Sequence, residues 1–165
     1  MFVQKANLAG RFVVEHRDAD DALKAIYEFP NGIVDVGLNY ILEGWCNSGT
    51  ITDPWYVGLV DNAGWSAFAD ADTLSSHAGW DEFTDYTEAN RVTWLSDAAA
   101  TRAVSNGTTA DFSINASGNV KGIFISSNNV KSTGNTGTLW STAAFSSVVA
   151  TANGDTLKVT YTVSG

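Results

Sequence analysis

The chain has 165 residues, 44% of them apolar and 12% aromatic, with a formal charge of −9. This composition excludes a disordered chain, and the length suits one domain that hides roughly 70% of its unfolded surface. The acidity argues against a nucleic-acid binder, which needs a basic face.

In chain order, strands are expected over 9–17 and 23–29. Gly32–Glu43 fits two periods. Ile33, Val36, Gly37, Tyr40 and Ile41 make a helical stripe, while Val34, Val36, Leu38, Tyr40 and Leu42 alternate as in a strand. Asn31 as a cap and Gly44 as a stop favour a helix. A strand follows near 54–60, then an irregular excursion over 61–88 that holds Trp65, Phe68, Trp80, Phe83 and Tyr86 among Asp and Gly, with a helical turn near 70–76. Further strands are expected near 90–95 and 100–105.

The C-terminal part reads more clearly. Phe112, Ile114 and Ala116 alternate with Asp111, Ser113 and Asn115, the pattern of a half-buried strand. Ser117-Gly118 then predicts a tight hairpin into a strand over Asn119–Ser127. Strands near 136–142 and 146–150 and a turn at Asn153-Gly154 lead to 157–163. There Leu157, Val159, Tyr161 and Val163 alternate with Lys158, Thr160 and Thr162. Asn106-Gly107 is a further turn signal. Many short strands with turns every 8–12 residues or so predict a mainly β chain, a single antiparallel β-sandwich or jelly roll with one short helix, over 1–165.

Charge is divided unevenly. Residues 1–97 carry 16 acids and five bases, a net of −11, whereas 98–165 carry two acids and four bases, a net of +2. The acidic part is a solvated face or meets a basic partner. No run approaches roughly 18 apolar residues, so no membrane-spanning helix is expected. Met1-Phe2-Val3-Gln4-Lys5-Ala6-Asn7 lacks the apolar run and cleavage site of a secretory signal. With one cysteine, Cys46, no internal disulfide forms.

Reaction chemistry finds little footing. Asp18-Ala19-Asp20-Asp21 and Asp70-Ala71-Asp72 place carboxylates two apart, but a calcium loop then needs an oxygen ligand and a glycine. Ala22 and Leu23 stand there in the first run, Leu74 and Ser75 in the second. His16 and His77 have no Cys or His companions at zinc spacing. No nucleophile elbow of the Gly-x-Ser-x-Gly type and no phosphate-cradling loop occurs. His16 reads as a surface residue and Cys46 as a small buried thiol. Asn106-Gly107-Thr108 and Asn115-Ala116-Ser117 match the glycosylation triplet by chance. No catalytic residue, metal or cofactor is expected. Six tryptophans are many for this length, and Trp55, Trp65 and Trp80 are candidates for a sugar-stacking platform or for core and interface packing.

Trp55-Tyr56-Val57-Gly58-Leu59-Val60-Asp61 is followed by Asp72-Thr73-Leu74-Ser75-Ser76-His77-Ala78-Gly79-Trp80-Asp81-Glu82-Phe83, then Tyr86, Ala89, Arg91 and Trp94. These runs, with the preceding Phe29–Leu42, resemble a family of small proteins encoded in tailed-bacteriophage genomes. Gly154–Tyr161 resembles the closing strand of phage β-sandwich virion proteins. The resemblance implies a virion structural role, foremost a head decoration or cement protein, a homotrimer located on the virion. Its partners would be the major capsid protein or neighbouring virion subunits, with no nucleic acid and no membrane. A tail or fibre component with an adaptor or receptor-binding role is the alternative, and a carbohydrate-binding module or carbohydrate-active enzyme the second. Candidate interface residues are Trp65, Phe68, Asp70 and Asp72, with Trp65 on a projecting tip after Asp61-Asn62-Ala63-Gly64 and Trp80 in the core.

Overall fold

The computed structural model describes residues 8–49, 53–132 and 135–165, so the opening heptapeptide lies outside the described residues. In chain order the elements are β1 (Ala9–Arg17), β2 (Leu23–Ile33), α1 (Asp35–Cys46), β3 (Trp55–Asp61), β4 (Glu82–Phe83), β5 (Val92–Trp94), β6 (Ala103–Ser105), β7 (Ala110–Ser113), β8 (Gly118–Ser126), β9 (Leu139–Thr151) and β10 (Thr156–Ser164).

Alternation builds the first half. In β1, Phe12, Val14 and His16 are buried while Arg11, Val13 and Glu15 face outward. Phe12 lies opposite Phe29 of β2 and Tyr161 of β10, and its ring stacks on theirs at centroid distances of 5.7 and 4.4 Å. Burying one such side chain contributes about 1.5–3 kcal/mol, which drives β1 to the centre of the β2–β1–β10 ladder. The second half runs β9–β8–β3. Pairing of Gly32 with Thr142 and Ile33 with Ser141 joins the halves. The result is one antiparallel sheet in the order β4-β3-β8-β9-β2-β1-β10-β6, curled into a half-barrel, with β5 on β3 and β7 on β10. The mainly β chain with one short helix agrees with the sequence reading.

Several local readings need correction. Ser117-Gly118 makes no hairpin, because β7 pairs with β10 while β8 pairs with β3 and β9. The two strands near 136–142 and 146–150 are one strand, β9. The helix is shifted towards the C-terminus. Val34 precedes its first turn without a side-chain cap, and Asn31 stays in β2, where its amide donates to the Tyr161 hydroxyl at 2.9 Å. Gly44 does not stop the helix, which continues to Cys46. Gly37 lets α1 sit directly on β9, since a Cβ there would lie 2.3 Å from the Trp140 carbonyl oxygen. Near 70–76 there is no helical turn. Thr73 and Ser76 exchange backbone hydrogen bonds of 3.0 and 3.2 Å in a tight turn.

Residues 57–60 of β3, 122–126 of β8 and 139–143 of β9 are buried on both faces. The inner face adds Val57, Leu59, Ile123, Ile125 and Phe145 to the main core. The outer face carries Val60, Phe124 and Leu139, and the 61–88 excursion covers it with Leu74 and Trp80. Gly58 makes that second core feasible, because a Cβ there would fall 2.2 Å from the Phe124 ring. The excursion is pinned at intervals by Asp61 N–H to the Asp81 carbonyl, Ser66 N–H to the Gly79 carbonyl and Asp35 N–H to the Asp70 carbonyl, at 2.8–2.9 Å.

Candidate functional site

The candidate interface residues fall together in the excursion, in unequal roles. Trp80 is buried, as expected, and its indole N–H donates to Asp72 Oδ2 at 2.9 Å. The same Asp72 oxygen accepts the Ala69 amide at 3.0 Å, so this carboxylate is a buried internal acceptor. Trp65 does not project as a tip. It is half-buried, edge-on to Phe68 at 4.6 Å, with the Lys121 ammonium 5.8 Å from its ring. Phe68 is half-buried against Trp80, and Asp70 is exposed.

The sugar platform of Trp55, Trp65 and Trp80 is divided, because Trp55 packs on the main core and the other two on the outer cluster. A different set converges instead. Trp45 of α1, Trp55 of β3, Trp94 of β5 and Trp140 of β9, with Tyr40 and Tyr161, wall an apolar cleft of about 390 Å³ between α1 and the β6–β10 side of the half-barrel. Ile41, Gly44, Val104, Ile125 and Val163 complete it, and no charged side chain lines it among the described residues. Its volume falls in the range of small-molecule clefts, about 300–1,000 Å³. Sequence reasoning missed it because only the count of tryptophans hinted at it.

Two buried polar clusters lie elsewhere. His16 is not a surface residue: its Nε2 lies 2.6 Å from Asp155 Oδ2, which also accepts Lys24 Nζ at 2.8 Å and the Ala152 amide at 2.9 Å. This ties β1, β2 and the β9–β10 connection together. Burial pushes the Asp155 carboxyl up, but the hydrogen bonds from Lys24, Ala152 and His16 outweigh it and hold its pKa below the ordinary carboxylate value. A carboxylate depressed on folding contributes stability that is full above about pH 4 and is lost as pH falls through the lower folded value. The melting temperature should therefore fall more steeply below about pH 4 in the wild type than in Asp155→Asn. Parallel profiles would refute this linkage.

The second cluster pairs Arg91 with Glu82, both buried. Asp18 instead serves a turn, its Oδ1 accepting the Asp20 and Ala22 amides at 3.0 and 2.9 Å. Asn106 precedes the expected bend, at Gly107 and Thr108. It is buried, accepting the Tyr161 amide at 2.8 Å and donating to the Val159 carbonyl at 3.0 Å. Cys46 is exposed rather than buried, since α1 turns its C-terminal end to solvent. Among the described residues no three His, Cys, Asp or Glu side chains gather as a metal site would require. The cleft thus offers ring faces and alkyl groups for binding.

Compared with known proteins, the chain matches no protein-family model and no curated protein.

Proposed function

We propose that the chain is a structural protein of a tailed-bacteriophage virion: a head decoration or cement protein, a homotrimer seated over contacts of the major capsid protein. The observation that carries this reading is an uncovered apolar stripe on α1. Leu38, Leu42 and Trp45 are 41%, 58% and 83% exposed, and their spacing puts them on one helix face. A continuous apolar patch held in water marks a surface that a partner covers. The residues behind the phage resemblance shape the fold. Asp72, His77 and Trp80 build the outer core, and Glu82 and Arg91 the buried ion pair. We read the two halves of the curled sheet, packed across one core, as an open form of the β-sandwich expected of such a protein.

Purified virions test the reading. Hundreds of copies per particle support a head protein, a dozen or so indicate the tail alternative, and absence refutes both. On particles that carry the protein, Leu42→Lys should abolish attachment while leaving the melting temperature of the isolated chain nearly unchanged, because Leu42 is 58% exposed and a cation suits the C-terminal part of a helix. Attachment should also weaken in molar salt. Steering of the acidic 1–97 segment (net −11) onto basic capsid patches fades as the screening length drops from about 10 Å at 0.1 M to about 3 Å at 1 M. Full retention after a molar-salt wash would show that apolar contact alone holds it.

A further inference from the structure

The cleft beneath the C-terminal half of α1 supports an inference independent of virion attachment. Its walls are rings set at large angles to one another. Tyr40 stands at 86° to Trp55 with centroids 5.3 Å apart, Trp55 is tilted 51° to Trp140 at 5.8 Å, and Trp94 is at 61° to Tyr161 at 5.5 Å. Rings arranged this way form an open-sided box. The polar atoms of three of them already have partners. Trp140 Nε1 donates to the Tyr161 hydroxyl at 2.8 Å, and Trp94 Nε1 donates to Asn106 Oδ1 at 3.2 Å and to the Tyr161 carbonyl at 3.1 Å.

Such a box penalises any ligand that must give up hydrogen bonds to enter. A neutral apolar group and a quaternary ammonium both escape that penalty, the second because it carries charge without an N–H. Electrostatics separate the two. Ring faces are the negative part of the aromatic quadrupole and attract a cation within about 6 Å of the centroid. Gly44 and Trp45 bring the C-terminal turn of α1 to the cleft, and that turn holds no basic residue. The negative end of the helix dipole therefore lies at the cleft with no basic side chain in that turn. Arg102 lines the adjoining groove beyond Val104 and is not one of the cleft walls. The net charge of −9 draws cations to the whole surface. We infer that the cleft is a binding site for a quaternary ammonium group, such as a choline head or a trimethylated amine.

Choline chloride and its uncharged carbon isostere, neohexanol, test this on the full chain, with sodium chloride as the ionic-strength control. Tryptophan fluorescence reports directly, because four of the six tryptophans line the cleft. Choline should bind saturably and about tenfold more tightly than neohexanol. Trp45→Ala should weaken choline binding several-fold while leaving the melting temperature unchanged, since Trp45 is 83% exposed. Neohexanol binding as tightly as choline overturns the cation assignment, and saturation by neither overturns the site. Choline binding that survives Trp45→Ala at full strength overturns its placement in the cleft. All readouts use the isolated chain, so none depends on whether the protein attaches to a particle.

Discussion

Truncating Trp80 to alanine should lower the melting temperature of the isolated chain by about 10 °C. The side chain is 2% exposed and holds the outer core together. It stacks on His77 at 3.9 Å, meets Phe68 edge-on at 5.5 Å and packs on Phe124 at 5.1 Å. Removing a buried tryptophan costs about 3–5 kcal/mol, and in a chain of this size each kcal/mol is worth about 2–4 °C. The loss of its indole N–H adds to this, because Asp72 would keep only the Ala69 amide on the shared oxygen. One such hydrogen bond contributes about 0.5–1.5 kcal/mol net when the acceptor keeps another partner. Trp80→Phe keeps most of the ring burial and loses the hydrogen bond, so its loss should be smaller. Trp65→Ala removes a half-buried ring that touches Phe68 and Lys121, so it should also cost less than Trp80→Ala. Thermal melts of the three variants decide the order. If Trp65→Ala proves the most destabilising, the roles of the two tryptophans are reversed.

What could be read from residues alone depended on whether a signal was local. In β1 and β10 one face meets the core and the other meets water, so period-two alternation marks both strands closely. Residues 57–60 of β3 are buried on both faces, and alternation could not show that the excursion would cover the outer side. Ser117-Gly118 carries a turn signal, but strand partners are chosen by burial, and β7 finds β10 more than forty residues downstream. Charged neighbours made His16 look exposed, although its position in the alternation already pointed inward. Its partner Asp155 is 139 residues away, so nothing local could supply the reason. Asn31 has the chemistry of a helix cap, yet the buried Tyr161 hydroxyl claims its amide. The cleft was the least legible feature. Its tryptophans come from a helix and three strands, and only the folded sheet brings them to one place.

The Arg91–Glu82 pair carries the other large expected effect. Arg91 Nε and Nη2 each donate to a Glu82 carboxylate oxygen at 2.9 Å, and the two side chains are only 4% and 8% exposed. Around this fork, Arg91 Nη1 donates to the Asn128 carbonyl at 2.9 Å, and Glu82 Oε2 accepts the Ser132 amide at 2.8 Å. The guanidinium also lies 5.0 Å from the Phe124 ring centroid. The pair therefore fastens the 128–132 segment and β4 over the outer core. Two ions taken out of water are stable here only because each has the other, so removing one leaves a buried uncompensated charge at a cost of about 3–5 kcal/mol. Arg91→Met should lose that much in denaturant unfolding. Arg91→Lys should recover little of it, because an ammonium cannot reproduce the two-pronged contact. The double variant Arg91→Met with Glu82→Leu should be more stable than Arg91→Met alone, since the orphaned carboxylate is gone. It should still fall short of the wild type, because the Ser132 amide loses its partner and the Asn128 carbonyl keeps only the Ser126 hydroxyl. A double-mutant cycle should give a coupling of about 1–3 kcal/mol. Additive losses would mean that the two charges are solvated independently in solution and that the fork does not hold the cap in place.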